Sequence, residues 1–128
     1  MENCDRLIQF IDRHTSHGTE ELPQIFGEGV GVEDPAVDYL ERFLDRDWLQ
    51  LYSYWQSQSD LWIEALILLL GDIEPAKSRD TFVEIVLLGS DESALNAIEY
   101  VRYFIQELHP EVRDRIEAKM SAIVSKRF

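Results

Sequence analysis

Four carboxylates, Asp34, Asp38, Glu41 and Asp45, recur at i, i+4, i+7 and i+11. On one continuous helix that spacing gathers them into a stripe about 60° wide, with Val37, Leu40, Phe43 and Leu44 on the inward side. Stacked like charges destabilise an isolated helix by roughly a few tenths of a kcal/mol per pair. The stripe is therefore either a solvated face relieved by Arg42 and Arg46, or a docking edge for the Lys and Arg side chains of a partner. A second group, Glu99, Tyr100, Tyr103 and Glu107, falls opposite the apolar arc of a long helical segment. Exposed Tyr flanked by acids suits an interface with a basic protein, because Tyr supplies contact area and a hydroxyl together. Trp48, Tyr52, Tyr54, Trp55 and Trp62 crowd into fifteen residues. Core packing is the default for most of them, leaving Gln50, Ser53 and Gln56 for water and Tyr54 at the rim.

Other chemistry finds less support. Asp12, His14 and His17 are ligand types, but they straddle a helix end and a Gly18 loop, so convergence on a metal is not expected. His109 precedes Pro110 and reads as a helix cap. Cys4 has Arg6 as its only near cation and no base, which leaves nucleophilic catalysis unsupported. The chain has no P-loop, dinucleotide fingerprint or Cys-x-x-Cys motif. No cofactor, metal or catalytic residue is expected, and the protein reads as non-enzymatic.

Charge sets the partner class. The 128 residues carry 25 Asp plus Glu against 12 Lys plus Arg, a formal net of −13. Residues 1–64 hold 14 acids and 4 bases, and residues 65–128 hold 11 and 8. Such a field attracts cationic surfaces and repels nucleic acid and anionic membrane. The only basic cluster is Lys126-Arg127. With 45% hydrophobic residues, the chain has enough apolar anchors to fold. One cysteine cannot form an intramolecular disulfide, and Met-Glu-Asn-Cys-Asp-Arg is no secretory n-region, so a cytoplasmic setting is expected. The longest apolar run, Leu61–Leu70, is interrupted by Glu64 and spans about half of what crosses a membrane.

The elements that must position these residues are helical throughout. Cys4, Leu7, Ile8 and Ile11 predict a first helix over 3–14. Residues 15–33, with Gly27, Gly29 and Gly31 and four glutamates, predict a long acidic loop. Asp34-Pro35 opens a helix to residue 46, Asp47 caps another to Gln56, and Asp60 caps Leu61–Leu70, with Gly71 at C′. Pro75 starts a segment ending at Leu88-Gly89. Ser90-Asp91 caps a helix to Leu108, and Pro110 opens the last, with Val112, Ile116, Met120 and Ile123 inward. The expectation is one all-α domain over 1–128, of about seven helices.

From residue 34 the helices pair as hairpins, and Trp62-Ile-Glu-Ala-Leu aligns with Ala94-Leu-Asn-Ala-Ile at an offset of 32. In this the chain resembles HEAT-like αα repeats, which implies helical hairpins stacked as a short array; a compact orthogonal bundle gives a similar pattern. In size, acidity, helical content and lack of cysteine pairs, the whole chain also resembles bacterial toxin-immunity proteins of the colicin or contact-dependent growth inhibition type. That resemblance is one of general character and carries no residue over. It implies an inhibitor that occludes a basic partner, a nuclease-type toxin domain. The alternatives are a HEAT-like adaptor binding a protein or peptide, and a DNA-mimic inhibitor.

Overall fold

Three helices open on a proline and two on a Ser–Asp pair, so local chemistry decides where most of the fold begins. The computed structural model describes residues 2–15 and 35–127. Within them are seven α-helices and no strand: α1 (Asn3–Thr15), α2 (Pro35–Glu41), α3 (Asp45–Trp55), α4 (Asp60–Leu70), α5 (Pro75–Leu88), α6 (Asp91–Val101) and α7 (Pro110–Arg127). A 3₁₀ turn, Ile105–Glu107, precedes α7. The expected loop 15–33 and the Asp34 cap lie outside the described residues, apart from Thr15, which ends α1.

The all-α expectation holds, but two helices end earlier than their periodicity predicts. The segment 34–46 is interrupted over 42–44, and α3 begins at Asp45, not after Asp47. Asp47 is the cause. It sits in the first turn of α3 and is 1% exposed. Its Oδ2 accepts from the Leu44 N–H at 2.9 Å and its Oδ1 from the Cys4 N–H at 3.3 Å. A carboxylate reaching back to the residue before a helix satisfies a donor that the helix itself cannot. Leu44 then stands outside the helix and is exposed, not inward. Likewise α6 stops at Val101 and not at Leu108, with a turn over 102–104.

The cap of α4 is Ser59, one residue before the expected Asp60: its hydroxyl accepts from the Trp62 N–H at 3.2 Å. Ser90 does the same for α6, accepting from the Ser93 N–H at 3.2 Å. Gly71 caps α4 in right-handed conformation, φ −67°, so a left-handed C′ role is not what selects it. Gly89 is needed for space. A Cβ there would lie 2.5 Å from the Ile85 carbonyl oxygen. These caps also correct the repeat. Ser59-Asp60 matches Ser90-Asp91 at an offset of 31, and in that register Ile63, Leu66, Ile67 and Leu70 fall on Ala94, Ala97, Ile98 and Val101, all buried. The same offset places buried Asp47, Leu51 and Trp55 on buried Ser78, Phe82 and Val86. The expected offset of 32 sets two alanines in register but leaves the caps out of step.

The chain forms two compact units, Met1–Lys77 and Ser78–Phe128, divided within the first turn of α5. In the first, α1 is the element that α2, α3 and α4 share. Pairing from residue 34 onward leaves α1 no role, yet its Cys4, Leu7 and Ile11 are fully buried. Seven of the eleven α4 residues are buried, as a helix apolar on all sides requires. Trp62 is anchored by its Nε1, which donates to Asp12 Oδ1 at 2.8 Å. In the second unit α6 packs on α7, with Ile98, Val101, Ile116 and Ile123 buried. Lys119 of α7 closes the end of α5, donating to the carbonyls of Leu87 at 3.4 Å and Gly89 at 3.0 Å.

Candidate protein-binding surface

The early end of α2 removes the acidic stripe as a feature of one helix. Asp38 and Glu41 share α2, Asp45 begins α3, and Asp34 lies outside the described residues. The i, i+7, i+11 spacing therefore does not stack these carboxylates on a common axis. Asp38, Glu41 and Asp45 are nevertheless all exposed. Asp38 holds Arg42 Nε at 3.4 Å, an exposed pair one turn apart. Arg46, expected to relieve the stripe, instead reaches Glu2 at 2.9 Å. Among the described residues, the Glu41 and Asp45 carboxylates have no ion pair.

The stripe that the helix geometry does build lies on α3. Asp45, Leu49, Tyr52 and Gln56 follow i, i+4, i+7 and i+11 through α3 and its C-cap, and all four are exposed. Leu49 is 69% exposed and Tyr52 41%, with Leu44 just before the helix at 55%. This overturns the expectation that only Gln50, Ser53 and Gln56 of this helix meet water. Default core assignment of apolar and aromatic residues hid the face; the signal that could have found it was the phase set by buried Asp47, Leu51 and Trp55. The flanks of this face are anchored. Trp48 meets Phe43 edge-on at 4.9 Å between centroids, and Gln50 donates to Asp5 Oδ1 at 2.8 Å. Tyr54 is half-buried against Trp62 at 5.4 Å. Its hydroxyl pKa is raised, first by loss of solvent and then by the charge of Asp12.

The expected group in the second unit is dispersed. Glu99 lies on α6 and is 3.4 Å from Arg102. Glu107 falls on the 3₁₀ turn and takes Arg79 Nη2 at 2.8 Å. Tyr100 stacks on Phe82, rings 4.8 Å apart and within 4° of parallel, so it packs and does not project. Tyr103, in the turn after α6, is 90% exposed. A break at Val101 separates what one long helix would have aligned. Lys126 and Arg127 are spoken for as well, pairing with Asp91 at 3.4 Å and Glu92 at 2.7 Å at the start of α6.

The groups with reactive chemistry are occupied structurally. Burial, then the charges of Asp47 and Asp5, push the Cys4 thiol up to about 12, so it stays protonated near neutrality. His14 Nδ1 lies 2.8 Å from the Phe10 carbonyl oxygen, Asp12 accepts from Trp62, and His17 lies outside the described residues. Among the described residues, no three metal-ligating side chains converge. His109 Nδ1 accepts from the Glu111 N–H at 3.2 Å, the cap that its place before Pro110 suggests. Glu84, half-buried on α5 one turn from Asp80, has its carboxyl pushed up to about 7 by lost solvent and then by that neighbour. Among the described residues, no helix is long and apolar enough to cross a membrane. No family model, curated protein or solved structure matches the chain.

Proposed function

We propose that this chain is a non-enzymatic inhibitor that binds a basic protein and occludes it, in the manner of a toxin-immunity protein facing a nuclease. The observation that carries the reading is the partition of charge. Residues 1–77 hold 16 acids and 5 bases, a net of −11, while residues 78–128 hold 9 and 7, a net of −2. The first unit also has Asp45, a carboxylate with no ion pair among the described residues, on the same helix face as exposed Leu49 and Tyr52. Apolar anchors give such a surface affinity, and the surrounding field gives it a fast encounter. A nuclease active site is cationic because it holds phosphate, so it complements the negative field.

The test begins with affinity capture from the native organism at low and high salt. The captured basic protein is then purified and its cleavage of nucleic acid measured against increasing amounts of this chain. Loss of cleavage at one equivalent supports the reading. An undiminished rate with the complex formed would replace inhibition by simple tethering. A second reading, an adaptor built from repeated helix pairs, draws on the 31-residue register of α3–α4 on α5–α6. An adaptor would leave the partner's activity intact.

A further inference from the structure

The outer face of α3 brings large apolar side chains up to a carboxylate, Asp45, that forms no ion pair among the described residues. Leu49 and Tyr52 lie one turn apart, 69% and 41% exposed. A lone exposed Leu needs no explanation. Here, however, the face is graded along the helix: Asp45 at its start, Leu49 and Tyr52 in the middle, and neutral Gln56 at its end. Before the 42–44 link, Asp38 is paired with Arg42 and the Lys77 ammonium reaches the Glu41 carbonyl at 3.5 Å, so Asp45 is the carboxylate of this face left free among the described residues. The polar groups at the far end are turned onto their own helix, Gln56 Nε2 donating to the Tyr52 carbonyl at 2.8 Å.

Charge selects among the occupants of such a face. A second copy would bring one net −11 unit against another, and like-charge apposition opposes self-association. Anionic lipid and nucleic acid are repelled for the same reason. A cationic amphipathic helix gains at both ends of the gradient. Its apolar side chains, spaced at i and i+3 or i+4, cover Leu49 and Tyr52, while Lys or Arg at one end meets Asp45 within the negative field of the unit. The eleven residues of α3 span about 16 Å, so the matching segment is about three turns long.

We propose that the outer face of α3 docks an amphipathic helical segment of a protein partner, with basic residues clustered at one end. This rests on the inhibitor reading above and names the recognised element of its partner. The experiment uses the full chain and two fluorescent probe peptides of identical Leu and Lys composition. One is patterned as such a helix and the other is scrambled, and binding is followed by anisotropy at low and near-physiological salt.

The expected result is a preference of about tenfold or more for the patterned probe. Replacing Leu49→Ser together with Tyr52→Ser abolishes it, and Tyr103→Ser in the second unit leaves it intact; circular dichroism verifies that each variant is folded. No preference, or one that survives the double substitution, overturns the α3 site while binding of both probes leaves the acidic docking reading standing. Failure of both probes to bind at low salt overturns the α3 site, and the inhibitor reading is then decided by the cleavage assay alone. A concentration-dependent dimer in sedimentation, lost in Leu49→Ser, would assign the face to a second copy and also overturn the proposal.

Discussion

In the Ser78–Phe128 unit, Asp91, Glu92, Glu99 and Glu107 each sit within 3.4 Å of an ammonium or guanidinium group. In the Met1–Lys77 unit Asp38 and Glu2 are paired with Arg42 and Arg46, but the Glu41 and Asp45 carboxylates form no ion pair among the described residues. Exposed pairs of this kind contribute little stability, commonly under about 1 kcal/mol. Their effect is on the field: the second unit cancels most of its own charge, and the first does not. Where the first unit invests a carboxylate in structure it buries it, as at Asp47, or turns it onto an indole, as at Asp12. The contrast separates acids that hold the fold from acids left to act on something else.

The largest expected effects test whether each unit has the core described. Leu66→Ala in the first and Ile98→Ala in the second should each cost about 2–5 kcal/mol, since both side chains are buried. All three tryptophans, Trp48, Trp55 and Trp62, lie in the first unit, so their fluorescence reports Leu66→Ala there. Far-ultraviolet circular dichroism reports both units. A loss below about 0.5 kcal/mol for either variant would mean that its helix face is misassigned.

Next in size is Asp47→Ala, which strands the N–H groups of Leu44 and Cys4 and should cost about 2–3 kcal/mol in urea denaturation. The matching change in the second unit, Glu107→Gln, should cost under about 1 kcal/mol. Equal losses would erase the distinction between structural and surface carboxylates. Ser59→Ala and Ser90→Ala probe positions that are equivalent in the two units, and about 1 kcal/mol is expected from each. A large inequality would break the 31-residue correspondence.

The smallest effect is a pH slope. With its carboxyl pushed up to about 7 from an ordinary 4.5, Glu84 keeps a proton in the folded state that the unfolded chain releases. Its contribution is therefore fully present below about 4.5 and is lost as pH rises through 7. Glu84→Gln should flatten the decline of the thermal midpoint over that window. An unaltered slope would assign the decline to other groups.

Most helix starts were legible in the sequence, to within a residue, because Pro35, Pro75 and Pro110 fix the local backbone and the two Ser–Asp pairs bond to near neighbours, whereas that of α3 falls at Asp45, ahead of its expected cap Asp47. Two helix ends were not, because nothing local marks them. Residues 42–44 contain neither Gly nor Pro, and the break depends on Asp47 bonding at once to Leu44 and to Cys4, a residue 43 positions away. The turn after Val101 is equally unmarked, and periodicity carries the eye on to Leu108. The candidate surface suffered from the same errors. Running the second helix on to residue 46 manufactured a carboxylate stripe, and reserving only Gln50, Ser53 and Gln56 of the next helix for water concealed Leu49 and Tyr52. Both follow from helix phase, which a three-residue interruption resets.

The bonds that tie α1 into the first unit also set an order of events during synthesis. Asn3 donates to Arg42, Asp5 accepts from Gln50 and Asp12 accepts from Trp62, at separations of 39, 45 and 50 residues. α1, which precedes its partners in the chain, is thus among the last elements of its unit to find all its neighbours. At 5–20 residues per second, roughly 3–10 s pass between the emergence of Asp12 and that of Trp62. Over that interval Cys4, Leu7 and Ile11 have no complete core to enter, in a stretch whose like charges oppose association with other chains.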